Sequence, residues 1–208
     1  MNNKIKLIIA LLLIFPTNFA CSLAQTSSSF INDYMPLAIG NKWYYNVHTI
    51  NTEVGSETSF IIEVVGIDTL DSKKYFKIKR ENVNTRFPVY YYHQRVSNDT
   101  LYTLNYDQKS HLYFEWVTAI FTLESGDVAR IELPPNELSS KNEAEGLPTG
   151  RRYSIKALNK DEDTIELFTN RGMIDGETTE VYKKGIGMIK SKSGWGIVTE
   201  LIDYELNN

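Results

Sequence analysis

The feature that most limits the fold is a series of short segments in which apolar and polar residues alternate. In residues 42–51, Trp43, Tyr45 and Val47 fall on one face of an extended chain, and Asn46 and His48 fall on the other. A period of two residues is typical of a β-strand with one buried face. Turn residues separate these segments, so the sequence predicts an all-β antiparallel meander.

Four hairpins are predicted where two alternating segments flank a turn. The segment pairs are 58–70 with 74–80, 89–96 with 101–104, 153–158 with 164–169, and 180–191 with 196–205. Phe76 and Ile78 are expected to point inward. Residues 113–121 predict one or two further strands. We therefore expect eight to ten strands, bent into a half-barrel, barrel or sandwich, because open sheet edges invite aggregation.

The N-terminus predicts a secretory signal peptide over residues 1–24. Lys4 and Lys6 precede an apolar run over residues 7–15, and small residues follow. The run is shorter than the roughly 20 residues that span a bilayer, and no later stretch is long enough. Ser22 and Ala24 form the small-residue pattern for ordinary cleavage after Ala24.

A second interpretation of this segment concerns Cys21, the only cysteine in the chain. It follows Ala20 directly and could be the lipid-bearing residue of a bacterial lipoprotein. Asn18 and Phe19 depart from the lipoprotein pattern, which favours cleavage after Ala24. The protein is thus expected to be exported, either periplasmic or secreted, or alternatively tethered to a membrane through Cys21.

Removal of residues 1–24 would leave a polar tether over residues 25–33 and a single β domain over residues 34–208. The chain has 22 basic and 26 acidic residues, a net charge of −4, which becomes −6 without Lys4 and Lys6. This balance argues against a nucleic-acid partner, which needs a concentrated basic face. Since no cysteine follows Cys21, an internal disulfide and thiol catalysis are excluded.

One basic run stands out within this acidic chain. It interleaves with apolar residues at strand spacing and comprises Lys73, Lys74, Lys77, Lys79 and Arg80. We interpret this run as the solvated face of a strand.

Aromatic residues are abundant, with 13 Tyr, 9 Phe and 3 Trp. Tyr90, Tyr91 and Tyr92 place tyrosines on both faces of one strand. Tyrosine has an apolar body and a polar tip, which suits a groove for a lipid or a sugar. Tyrosine is also a good strand former, so a structural role stays open.

No catalytic residue, metal ligand or cofactor is predicted. His48, His93 and His111 lie far apart and lack the close spacing of paired metal ligands. Residues 193–196 (Ser-Gly-Trp-Gly) suit a hairpin turn rather than a nucleophile elbow. Gly185 and Gly187 predict a bulge or bend in a strand, since no helix follows to form a phosphate site.

Two weaker patterns concern acids and threonines. A hydrolase could use paired carboxylates; the available acids are Glu115, Glu124, Asp127, Glu132, Asp161, Glu162 and Asp163. An Asp-Thr-aliphatic pattern occurs three times and places Thr69, Thr100 and Thr164 in a motif that resembles the O-glycosylation acceptor of Bacteroidota. The same dipeptide also suits the junction of a turn and a strand.

The two ends of the domain resemble a group of largely uncharacterised exported proteins of Bacteroidota and related bacteria. Residues 34–45 (YMPLAIGNKWYY) resemble their Y-x-P-L-x-x-G-N-x-W-x-Y opening, and residues 182–189 (YKKGIGMI) followed by 200–204 (ELIDY) resemble their ending. The resemblance implies export and a β fold, and it implies no catalytic residue.

For function, the sequence predicts a non-catalytic binding module of the periplasm or cell surface. Its ligand would be an apolar molecule, such as a lipid, or a carbohydrate held against the aromatic-rich sheet. The alternatives are a structural or accessory component of an envelope assembly and a hydrolase that uses carboxylates.

Overall fold

The computed structural model describes residues 33–52, 58–83, 88–107, 112–132, 152–172 and 176–207. These ranges contain twelve strands: β1 (Lys42–Thr49), β2 (Phe60–Leu70), β3 (Lys73–Asn82), β4 (Tyr90–Ser97), β5 (Thr100–Asp107), β6 (Leu112–Ile120), β7 (Val128–Glu132), β8 (Arg152–Lys160), β9 (Thr164–Asn170), β10 (Glu177–Lys183), β11 (Gly187–Ser193) and β12 (Ile197–Glu205). They form one sheet in the order β6-β5-β4-β3-β2-β1-β12-β11-β10-β9-β8-β7, and every pairing is antiparallel. The predicted all-β meander is therefore confirmed, and its first and last strands meet in the middle of the sheet.

The predicted strand number of eight to ten is too low, since the described ranges contain two strands more than its upper limit. Residues 180–191 were expected to form one strand but form β10 and β11, which a turn at residues 184–186 divides. Gly185 and Gly187 have φ values of 72° and 108°, so the predicted bulge or bend is a hairpin turn. The second addition is β7, a five-residue edge strand in which Val128 is exposed. Its weak burial pattern explains why the sequence did not indicate it.

The turns of the first two predicted hairpins are confirmed. Asp71 and Ser72 join β2 to β3 with φ values of 48° and 62°, and Asn98 and Asp99 join β4 to β5 with values of 50° and 54°. Positive φ at both central residues defines the tight hairpin turn whose twist matches that of the strands. The third and fourth hairpins also form, as β8–β9 and β11–β12.

Most of the buried apolar side chains gather on one face of the sheet, the inner face. They come from both halves of the strand order and include Trp43, Tyr45, Phe60, Val64, Ile78, Leu101, Ala119, Tyr153, Ile155, Ile165, Leu167 and Tyr182. Because strands far apart in the sheet share this core, the sheet must curl around it. Of the predicted half-barrel, barrel or sandwich, the structure shows a nearly closed barrel.

Tyr153 on β8 bridges the seam between the two ends of the sheet. Its hydroxyl donates to the backbone oxygen of Val117 on β6 at 2.9 Å and accepts from the backbone nitrogen of Val117 at 2.8 Å. Its ring also lies 5.4 Å from that of Trp116. One side chain therefore satisfies both backbone groups of a residue on the edge strand β6.

The two ends of the barrel differ. At the lower end, where β1 begins, residues 34–37 pack across the opening. The ring of Tyr34 stacks on Phe121 at 5.2 Å, and Leu37 is fully buried. At the upper end, where β1 ends and β2 begins, the inner face keeps exposed apolar side chains, including Val47 and Tyr90. The lower end is closed by core, and the upper end presents an aromatic surface.

Candidate functional site

The upper part of the inner face carries an aromatic cluster around one arginine. We call Tyr45, Phe60, Arg80, Tyr90 and Tyr92 the inner-face cluster. Strand pairing brings its members together, since Tyr45 lies opposite Phe60, Arg80 opposite Tyr90, and Tyr92 opposite the core residue Ile78. The rings of Tyr45 and Phe60 stack at 5.0 Å, and those of Tyr90 and Tyr92 lie 6.3 Å apart.

Arg80 lies between the aromatic rings of this cluster. Its guanidinium carbon is 3.7 Å from the centre of the Phe60 ring and 5.6 Å from that of Tyr90. Stacking of this kind is favourable for a partly desolvated guanidinium. The Nε atom of Arg80 is buried, and no group in the described ranges accepts a hydrogen bond from it.

Glu180 adds an acidic group to the inner face on the opposite side of the barrel. The hydroxyl of Tyr182 donates to its Oε2 atom at 2.8 Å. Burial raises the pKa of Glu180, although this hydrogen bond and the charge of Arg171 act in the opposite direction. The carboxyl therefore lies in an environment that favours its neutral form more than water does.

Burial and nearby charges also shift the pKa values of the tyrosines on the inner face. Burial is the main cause that raises the pKa of Tyr92; the charge of Arg80 acts in the opposite direction, and that of Glu180 adds to the effect of burial. Burial likewise raises the pKa of Tyr45, whose hydroxyl donates to the backbone oxygen of Met188 at 2.8 Å. Both hydroxyls therefore stay protonated and act as neutral hydrogen-bonding groups on an otherwise apolar surface.

A separate polar network occupies the outer face around Glu115. Arg95 donates two hydrogen bonds to its carboxylate at 2.5 and 3.0 Å, and Lys73 and Tyr75 donate at 2.7 and 2.6 Å. Desolvation alone would raise the pKa of Glu115, but the bonds from Arg95, Lys73 and Tyr75 outweigh it and lower the pKa to about 2. A carboxylate held this way is a structural anion rather than a proton donor.

The other acids considered for hydrolysis are dispersed. Glu124 binds Lys160 at 2.7 Å, and Glu132 binds Arg152 at 3.1 Å. Asp127 accepts from the backbone nitrogen of Glu124, at 3.0 Å.

In the acidic loop at residues 161–163, a carboxylate stabilises the turn between β8 and β9. Asp161 accepts from the backbone nitrogens of Asp163 and Thr164, at 2.8 and 2.6 Å, and Glu162 is exposed beside them. Like the other acids, Asp161 therefore acts as a local hydrogen-bond acceptor.

The histidines are likewise apart. His93 lies 2.8 Å from Asp68 on the outer face, His48 lies on β1, and His111 falls outside the described residues. Within the described ranges, no group of three His, Cys, Asp or Glu residues could hold a metal ion.

The predicted modification sites are placed only in part. Residues 1–32, which include Cys21, Ala24 and nearly all of the tether, lie outside the described ranges. Thr69 is exposed near the end of β2, whereas Thr100 and Thr164 are half-buried at the start of β5 and β9. The hydroxyl of Thr164 already donates to Asp161 at 2.8 Å. Thr69 is thus the most accessible of the three.

The two signature segments at the ends of the domain meet at the lower end of the barrel. The indole nitrogen of Trp43 donates to the backbone oxygen of Ile186 at 2.5 Å. Asn41 is buried, and its side chain donates to the oxygen of Pro36 at 2.6 Å and accepts from the nitrogen of Asn207 at 2.7 Å. These residues therefore hold the first and last segments of the domain together.

Sequence reasoning missed Arg80 as a site residue. We expected the basic run to form a solvated face, and this holds for Lys77 and Lys79, which bind Asp68 and Glu81 on the outer face. It is wrong for Arg80, which shares the inner face with Phe76 and Ile78. Arg80 follows Ile78 by two residues, and this spacing predicts that both side chains lie on the same face of the strand. We assigned Arg80 to the solvated face because its neighbours in the run are charged.

The chain is similar to two solved structures at low sequence identity. No protein-family model matches the chain, and no curated protein is similar to it. A candidate exported protein with a YMCC-like fold from Bacteroides fragilis is 11% identical, with a TM-score of 0.43 over 83% of this chain and 99% of that one. A candidate lipoprotein from Parabacteroides distasonis is 10% identical, with a TM-score of 0.39 over 83% of this chain and 98% of that one.

Helices long and apolar enough to cross a bilayer are absent from the described part of the chain.

Proposed function

We propose that the protein is an exported, non-catalytic binding module that holds the apolar part of a small ligand against its inner-face cluster. The observation that carries this proposal is the contrast between the two barrel ends. The lower end is filled by core side chains, whereas Tyr90 at the upper end is 43% exposed although it lies on the inner face. Exposed aromatic surface beside a core is typical of ligand sites.

The chemistry of the cluster favours an amphipathic ligand. Tyr90 and the half-buried Tyr92 offer ring surface, and their hydroxyls add neutral polar contacts. Support for export comes from the basic and apolar N-terminal segment, residues 1–24. Since the acids considered for hydrolysis that have assigned contacts serve as ion-pair partners or turn acceptors, a binding role fits the inner face better than hydrolysis does.

Adjacent tyrosines on β4 allow a matched test of this proposal. Tyr90 lies on the inner face and Tyr91 on the outer face, with exposed fractions of 43% and 54%. We would titrate the wild type and the Tyr90→Ser and Tyr91→Ser variants with N-phenyl-1-naphthylamine, an uncharged apolar probe that fluoresces when bound.

We expect the wild type and Tyr91→Ser to bind the probe with equal affinity. Tyr90→Ser should bind about fivefold more weakly, the loss of ~1 kcal/mol of apolar contact. Equal loss in both variants, or no binding by the wild type, would contradict the proposed function.

A further inference from the structure

Arg80 is a cation on the inner face that no acidic side chain neutralises. In the part of the chain that the structure describes, no carboxylate lies within ion-pair distance of its guanidinium, and its buried Nε has no acceptor. A desolvated charge costs free energy unless a partner compensates it. The Phe60 and Tyr90 rings provide part of that compensation but no anion.

Arg95 shows how the same fold treats a structural arginine. It lies on the outer face, stacks 4.1 Å from the ring centre of Tyr102, and places two hydrogen bonds on Glu115. Arg80 repeats the aromatic stacking without the carboxylate. The N–H donors of Arg80 are therefore suited to a planar or tetrahedral oxyanion, which a guanidinium binds through paired N–H donors.

The charges around Arg80 are consistent with an incoming anion. Arg80 and Glu180 are the charged side chains that shift the pKa values of Tyr45 and Tyr92. The carboxyl of Glu180 accepts a hydrogen bond from Tyr182. Lys79 and Lys77 lie on the opposite face of β3 and bind their own acids. An anion that enters from the upper end would thus meet one uncompensated guanidinium among aromatic rings.

We propose that Arg80 is the anion-recognition residue of the inner-face cluster, and that the ligand combines an apolar body with one carboxylate or phosphate group. This inference rests on the proposed binding function and specifies its ligand class. The apolar body would lie on the exposed Tyr90 and the half-buried Tyr92, and the anionic group would receive hydrogen bonds from the guanidinium.

A pair of probes that differ only in charge tests this inference. Dansyl-undecanoate and its methyl ester share the same chain and fluorophore, and the ester has no anionic group. Both probes would be titrated into the wild type, Arg80→Gln and Lys79→Gln. Lys79→Gln is the matched control, because it removes the neighbouring cation on the outer face. Arg80→Lys is added because it keeps the charge but loses the planar fork.

We expect the wild type and Lys79→Gln to bind the acid about tenfold more tightly than the ester, because charge-assisted hydrogen bonds form only with the acid. Arg80→Gln should lose this preference while it binds the ester normally, which also shows that it is folded. Arg80→Lys should keep part of the preference. Displacement by dodecanoate, dodecyl phosphate and dodecanol then tells which anionic group binds best.

Three results would overturn the inference. Equal affinity of the wild type for the acid and the ester would remove the anion requirement but leave the proposed binding function in place. Retention of the preference in Arg80→Gln would assign it to another residue. Failure of the wild type to bind either probe would overturn both the inference and the proposed function.

Discussion

The hydroxyl of Tyr153 contributes two hydrogen bonds across the seam of the barrel, and its removal gives a quantitative prediction. Tyr153→Phe deletes the two hydrogen bonds to Val117 but keeps the ring and its contact with Trp116. Each bond contributes about 1 kcal/mol net, and no core volume is lost. We therefore expect the free energy of unfolding to fall by about 2 kcal/mol, which lowers Tm by about 4–8 °C for a domain of this size.

The same chemical change at an exposed position provides the control. The hydroxyl of Tyr44 donates to Glu205 at 2.6 Å on the outer face, so Tyr44→Phe should cost less than about 0.5 kcal/mol. Urea unfolding gives the stability of both variants, and hydrogen exchange should show faster exchange of the Val117 amide in Tyr153→Phe alone. Equal stabilities of the two variants would refute the assigned role of Tyr153 in the seam.

Three further predictions concern acid stability, the lower end and export. The pKa of Glu115 in the folded protein is below its ordinary value, so the stabilisation from its carboxylate is present above about pH 4.5 and is lost as the pH falls towards 2. In urea unfolding, the wild type should be about 2 kcal/mol more stable than Glu115→Gln at pH 7. This difference should vanish as the pH falls from about 4.5 towards 2. Gly187→Ala should destabilise by about 1–3 kcal/mol in thermal unfolding, because φ is 108° and the added Cβ would lie 3.2 Å from Nε1 of Trp43; an unchanged Tm would contradict this. Intact-mass analysis should show an exported chain that begins at Gln25, both in the wild type and in Cys21→Ser; a wild-type chain that begins at an acylated Cys21 would overturn the prediction.

The fold was largely predictable because its strands have one buried face. The alternation through Trp43, Tyr45 and Val47 and the inward Phe76 and Ile78 follow from a period of two, which local sequence records. The closure of the sheet was not predictable, because the contact of Tyr153 with Val117 joins β8, next to one end of the sheet, to β6 at the other end. Such a contact has no local pattern.

The candidate site was less accessible from sequence than the fold. The sequence identified the tyrosines of β4 as candidate ligand contacts. It did not show which of them lie on the same face as Phe60 on β2, because that depends on the register of the strands. Arg80 was assigned to solvent because a basic run is usually solvated. Its role depends on the absence of a nearby carboxylate within the described ranges, and only the folded chain shows that.

The central claim is that the inner-face cluster holds an amphipathic anion, and native mass spectrometry of protein purified from its own host tests it most directly. We expect the wild type to carry a non-covalent molecule that is released on denaturation and bears one carboxylate or phosphate on an apolar chain. Arg80→Gln should carry much less of it, whereas Lys79→Gln should carry as much as the wild type. A wild-type protein that is free of ligand, or one that carries an uncharged molecule equally in all three proteins, would contradict the claim.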